Sequence, residues 1–145
     1  MSSFVITRKI EIDAAHRVPS HESKCRNIHG HRYTVEATVE GTLYESGPQE
    51  GMVLDFGFLK ELMVELIDGP ADHAMIAWAQ DPLLCEFKGC CGKLLVVPYV
   101  PTAENLARYW FEQLVAPIQT LTNSNGFLSH VRVYETPNCW SDYPV

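Results

Sequence analysis

Two stretches near the start of the chain alternate between apolar and polar residues. In FVITRKIEIDAAH, Phe4, Ile6, Ile10, Ile12, Ala14 and His16 share one side, while Thr7, Lys9, Glu11 and Asp13 share the other. A period of two over this length predicts a strand with one buried face. HGHRYTVEATVEG repeats the pattern. His29, His31, Tyr33, Val35, Ala37 and Val39 oppose Arg32, Thr34, Glu36, Thr38 and Glu40. Both strands therefore carry histidines on their apolar side. The Pro, Ser and charged residues of RVPSHESKCRN mark a loop between them, and TLYESGPQEG is a turn-rich connector.

The period then lengthens. In VLDFGFLKELMVELIDG, Phe58, Leu59, Leu62, Leu66 and Ile67 recur near 3.6, with Asp55 as N-cap and Gly69-Pro70 as a stop, so a helix is expected. The stretch ADHAMIAWAQDPLLCEFKGCCGKLLVVPYV has no sustained period and reads as loop with short elements. PTAENLARYWFEQLVAPI predicts a second helix, capped by Thr102, with Leu106, Trp110, Phe111 and Leu114 as its apolar stripe. LTNSNG is a turn. FLSHVRVYET is a last strand in which Val131, Val133 and Glu135 share a face. The order strand, strand, helix, helix, strand implies one α+β domain over residues 1–145, an antiparallel sheet with two helices on one face.

Composition adds exclusions. The 145 residues are 46% hydrophobic and 20% charged, ordinary for a globular protein. The net charge of −7, without a Lys/Arg block, argues against nucleic acid or an anionic membrane as partner. No apolar run is long enough for a transmembrane helix, and the N-terminus lacks a signal-peptide layout. Five cysteines (Cys25, Cys85, Cys90, Cys91 and Cys139) are an odd number, which reads as reduced thiols in a cytoplasmic protein.

The candidate chemistry lies on the strand histidines. Residues two apart on a strand project the same way, with Cβ atoms roughly 6.5–7 Å apart. His29 and His31 can thus converge on one ion, and an adjacent strand can supply His16. Three imidazoles without an evident fourth protein ligand form the pattern of a catalytic metal site with an open position. The alternative is three separate histidines, each satisfied by its own hydrogen bond. Cys25, in the preceding loop, is a base or nucleophile if a neighbour favours its thiolate, and otherwise a plain loop cysteine. Asp72 and His73 form a proton relay only if both reach one proton. Glu135, on an inward face, needs either a basic side chain or a ligand with N–H donors. The C-x4-C-C spacing of Cys85, Cys90 and Cys91 does not match paired zinc ligands. His21 and His130 read as ordinary histidines.

Five segments occur in one order: AAH ending the first strand, CRNIHGH opening the second, DH after the first helix, PTAENLA opening the second helix, and VYET in the last strand. In this the chain resembles the 6-pyruvoyltetrahydropterin synthase family from about Phe4 to Thr136. The Cys-x3-His-x-His spacing of Cys25, His29 and His31 is similar to that of its bacterial 6-carboxytetrahydropterin branch. The resemblance implies a tunnelling fold whose subunits assemble into barrels, stacked as a homohexamer of two trimers. It implies Zn2+ on His16, His29 and His31, and a pterin ring held by Glu135, with Thr102 and Glu104 near a pocket shared between subunits. It makes Cys25 the general base, assisted by Asp72 and His73, with Glu135 taking part in the proton relay. The implied reaction converts 7,8-dihydroneopterin triphosphate to 6-carboxy-5,6,7,8-tetrahydropterin, releasing acetaldehyde and triphosphate, on the way to deazapurines such as queuosine. The alternatives are a pyruvoyl-forming synthase and a non-catalytic pterin- or metal-binding protein.

Overall fold

The structure, a computed structural model, describes residues 2–145. Both alternating stretches are strands: β1 spans Phe4–His16 and β2 spans His29–Gly41. They pair antiparallel over their full length, with Ile12 opposite Tyr33, Ala14 opposite His31 and His16 opposite His29. Directly opposite residues share a face. The pairing therefore sends the apolar sets of both strands, and all three histidines, to one side.

Helix α1 (Phe56–Met63) begins as expected, with the Asp55 carboxylate accepting from the Gly57 N–H at 2.6 Å. The chain does not stop at Gly69-Pro70. It passes through a π-helical turn, Val64–Asp68, into a last short turn α2, Gly69–Ala71. The Gly69 N–H bonds the Val64 carbonyl, five residues back. Pro70 has no N–H to give, and its ring needs room from the preceding turn; the wider π turn supplies that room. Inward-facing residues of the helix are Leu59, Met63 and Ile67, while Phe58 is exposed.

The irregular stretch carries three short elements: β3 (Met75–Trp78), α3 (Leu84–Cys90) and β4 (Leu94–Val97). Then α4 runs over Ala103–Leu121, past Pro117, with the Thr102 hydroxyl accepting from the Asn105 N–H. β5 spans Gly126–Thr136, and the tail adds β6, Cys139–Tyr143. The last strand is therefore β6 rather than β5.

Six strands form one sheet in the order β4-β3-β1-β2-β5-β6. The four on the β1-to-β6 side are antiparallel, as expected; β3 joins β1 parallel, and β4 joins β3 parallel. The sheet is thus mixed, not purely antiparallel. Each parallel neighbour is reached through a helical crossover: α1 and its continuation before β3, and α3 before β4. Helices α1 and α4 cover one face. Leu59, Met63, Ile67, Leu106, Trp110, Leu114 and Ile118 meet Ile12, Tyr33, Val35, Val131 and Val133 in one core. The other face of β1, β2 and β5 is polar.

A bulge decides which way the end of β5 faces. Val39 pairs with Leu128, but Thr38 pairs with His130, leaving Ser129 extra. Past the bulge Val35 opposes Val133, so Val131 and Val133 face the core along with Leu128. Glu135 follows in that parity. Without the extra residue it would turn to the polar face.

At the far end, β2 and β5 approach closely through Gly41 and Gly126. A Cβ on Gly126 would stand 2.6 Å from the Glu40 carbonyl oxygen. Thr42 and Asn125 lock the same corner by mutual side-chain and backbone hydrogen bonds. Gly126→Ala is therefore expected to destabilise the fold by about 1–3 kcal/mol. In urea unfolding the midpoint falls while the slope stays the same.

Candidate functional site

The β1–β2 register creates the centre of the site. His16 ends β1, His29 begins β2 directly opposite, and His31 stands two residues further on the same face. One ring nitrogen from each lies within 4.8 Å of the others. Tyr33, two residues beyond His31, lies edge-on to both His16 and His31 and closes the inner wall.

Two backbone carbonyls orient the rings. Nδ1 of His16 bonds the Pro101 carbonyl at 2.6 Å, and Nδ1 of His29 bonds the Asn27 carbonyl at 2.8 Å. A carbonyl only accepts, so each Nδ1 carries a proton, and in the neutral ring each Nε2 keeps its lone pair. These two Nε2 atoms face each other at 3.1 Å. Two lone pairs at that separation repel unless a cation lies between them. The third ring agrees, since Nε2 of His31 is buried and has no hydrogen bond among the described residues. Donors held tetrahedrally at 2.0–2.1 Å from one ion stand about 3.3 Å apart. The cluster fits a metal ion, with Pro101 and Asn27 as its outer hydrogen-bond partners. Burial lowers the pKa of His16 and of His31, which keeps both rings in the neutral, ligating form.

Glu135 reaches this cluster from β5. Its Oε1 lies 3.4 Å from Nε2 of His16 and 3.4 Å from Nε2 of His31. It has no Arg or Lys partner among the described residues, and it is partly exposed. A carboxylate beside this cluster and partly open to solvent is free to accept from a ligand.

Asp72 and His73 do pair. Nδ1 of His73 lies 2.8 Å from the Asp72 carboxylate, leaving Nε2 outward with its lone pair. Both are pinned to the edge of β1. The Asp13 N–H donates to Asp72, and the His73 N–H donates to the Asp13 carbonyl at 2.6 Å. His73 takes a left-handed backbone, φ 61°, which swings its ring back toward Asp72. The hydrogen bond from the Asp13 N–H, then that from His73, holds the Asp72 carboxyl below its ordinary pKa.

Cys25 sits half-buried in a 3-10 turn, Lys24–Arg26, whose carbonyl at Cys25 accepts from the Val18 N–H. Its thiol has no hydrogen bond among the described residues, and the chain by itself does not join it to Asp72-His73. The loop around it is anchored by Arg17, which makes a two-pronged pair with the buried Asp81 at 2.5 and 2.9 Å. Thr102 spends its hydroxyl on capping α4, directly after the Pro101 carbonyl that holds His16. Glu104 is exposed in the first turn of that helix. The parts that sequence reasoning missed are the Pro101 and Asn27 carbonyls. A backbone carbonyl leaves no side-chain signature.

A family model described as 6-pyruvoyl tetrahydropterin synthase matches residues 5–144. A 6-carboxy-5,6,7,8-tetrahydropterin synthase of Rickettsia felis is 35% identical over 136 residues, 92% of this chain and 95% of that protein. One from Haemophilus influenzae is 33% identical over 144 residues, 97% of this chain and 98% of that protein. Among solved structures, an uncharacterised protein from Wolinella succinogenes matches with a TM-score of 0.81 at 26% identity, over 98% of each chain. The 6-pyruvoyl tetrahydropterin synthase of Caenorhabditis elegans matches with a TM-score of 0.68 at 28% identity, over 100% of this chain and 97% of that one.

The geometry makes metal retention measurable. Replacing His31 by Ala is expected to weaken the held ion by more than about 100-fold, since even outer-shell partners are worth 10–100-fold. Metal content after dialysis against a chelator checks this. Protons compete for the same nitrogens, and the lowered pKa values of His16 and His31 shift that competition downward. The wild-type ion should survive dialysis at about pH 6.5, the ordinary histidine pKa, and be lost only below it.

Proposed function

The chain belongs to the 6-pyruvoyl tetrahydropterin synthase family, and we propose that within it the protein is a zinc-dependent carbon–carbon lyase. It takes 7,8-dihydroneopterin triphosphate and one water to 6-carboxy-5,6,7,8-tetrahydropterin, acetaldehyde and triphosphate. The convergence of His16, His29 and His31, with Glu135 against two of the rings and without an Arg or Lys partner among the described residues, carries this reading. The names of the Rickettsia and Haemophilus relatives, and the Cys-x3-His-x-His spacing, support the carboxy-forming branch over the pyruvoyl-forming one.

His16, His29 and His31 would hold Zn2+ through their imidazole nitrogens. The bound ion supplies Lewis acidity that makes a side-chain hydroxyl of the substrate easier to deprotonate. Glu135 accepts from the N–H edge of the pterin and so fixes the ring relative to the side chain. That carboxylate is well placed to take part in moving the ring proton. Cys25 acts as general base on the side chain. Asp72 stays ionised and keeps the proton of His73 on Nδ1, so Nε2 is free to take a proton and return it. Asp72 and His73 assist Cys25 in the relay, in a pocket shared between subunits. Thr102 and Glu104, at the start of α4, line the substrate side of that shared pocket.

The polar face of β1, β2 and β5 becomes the lining of a barrel made by several copies, in a homohexamer of two trimers. No helix among the described residues is long and apolar enough to cross a membrane. The working location is the cytoplasm, with the product passing to deazapurine synthesis.

Incubation of the zinc-loaded protein with 7,8-dihydroneopterin triphosphate tests the reaction. Trapped acetaldehyde together with a 6-carboxy product by mass is the expected outcome. A 6-pyruvoyl product without acetaldehyde would place the protein in the other branch. Bound pterin without turnover would leave a binding protein.

Two substitutions separate the roles. Cys25→Ala should lower kcat by about 10²–10⁴-fold, the usual worth of a general base, with zinc content unchanged. Glu135→Gln should raise KM for the pterin and lower kcat as well, because it removes both the ring contact and the proton carrier. Full turnover by Cys25→Ala would remove the thiol from the mechanism.

A further inference from the structure

The reaction leaves one thiol pair unused. Cys90 is the last residue of α3, and Cys91 follows it in extended conformation, φ −87° and ψ 119°. Neighbouring side chains normally diverge, by about 100° around a helix and to opposite faces on a strand. Here the change from helix to extended chain falls between the two residues and turns their side chains together. The Cys91 N–H still bonds the Phe87 carbonyl at 2.8 Å, which fixes the change at this position. The two Sγ atoms lie 3.7 Å apart. That is far beyond a disulfide bond of about 2.05 Å, and both are free thiols. Two thiolates bound tetrahedrally to one ion at about 2.3 Å stand about 3.8 Å apart. The pair therefore already has the spacing of a bidentate ligand.

We propose that Cys90 and Cys91 form a second cation site, selective for a soft, thiolate-preferring metal ion. Binding breaks two S–H bonds, passes two protons to solvent and forms two metal–sulfur bonds, with no change of oxidation state. Both side chains are free thiols, so binding is coupled to loss of their protons. Cys85 is not part of the site. It lies five residues before Cys90 on α3, about 140° around the helix, and is exposed.

Cys91 also lines an open cleft of about 560 Å³ together with His31, His73, Met75 and Lys93. Lys93 donates from Nζ to the Asp72 carbonyl, which ties the segment after the cysteines to the Asp72-His73 turn. A divalent cation held by two thiolates adds no net charge, so the nearby ammonium does not oppose it. Hard oxygen-seeking ions gain nothing from this donor pair.

The test is titration of zinc-loaded protein with Cd2+, followed by the ultraviolet thiolate-to-cadmium charge-transfer band, which imidazole ligands do not produce. The expected result is a stoichiometric step of one Cd2+ per chain with two protons released. Cys90→Ser and Cys91→Ser each abolish that step, while Cys85→Ser and Cys139→Ser preserve it. Cys90 is exposed, so its replacement leaves the core untouched. Absence of the step in the wild-type protein, or its survival in Cys90→Ser, would overturn the proposal. The readout is independent of turnover, so failure here does not bear on the lyase reading.

Discussion

The full-length antiparallel pairing of β1 with β2 is the constraint on which the rest of the structure depends. One register places Ile12 against Tyr33 in the core and His16 against His29 at the rim. A slip by one residue would turn either strand's apolar set to solvent and separate the imidazoles onto opposite faces. Hydrophobic burial and the histidine cluster therefore select the same alignment. Burial of Ile12, Tyr33, Val35, Ala37 and Val39 supplies the driving force, and the three rings follow as the end of the same row.

The rest of the molecule holds that row in place from outside. The bulge at Ser129 turns the second half of β5 so that Val131 and Val133 complete the core and Glu135 arrives beside the rings. The entry to α4 brings the Pro101 carbonyl to His16, and the loop after β1 brings the Asn27 carbonyl to His29. Each helix and loop thus has a second task besides packing. The polar neighbours put a proton on Nδ1 of His16 and of His29, which turns both Nε2 atoms toward the cluster as ligands.

The passage from α1 to β3 illustrates how a local irregularity serves the site. A regular helix would meet Pro70 with a clash and a missing hydrogen bond. The π turn absorbs the proline and lets the chain reach the edge of β1, where Asp72 and His73 clasp the Asp13 backbone. The left-handed backbone at His73 then closes the carboxylate–imidazole pair. Adjacent side chains rarely meet without a break in regular backbone; at Cys90 and Cys91 the break is the change from helix to extended chain at the end of α3.

Much of this was legible in the chain itself. Period-two alternation located β1 and β2 and put His16, His29 and His31 on their apolar sides, because burial of one sheet face is written directly into side-chain order. Asp55 and Thr102 marked the helix starts, because capping is a contact between near neighbours. Tertiary structure alone decided what depends on residues far apart. The proton on His16 is set by a carbonyl 85 positions away, and backbone carbonyls are the same at every residue. The parallel addition of β3 and β4, the run of α1 through Gly69-Pro70, and the strand formed by the tail were likewise not readable. In each, the energetic gain comes from packing and sheet pairing with distant partners, which short-range propensity does not record.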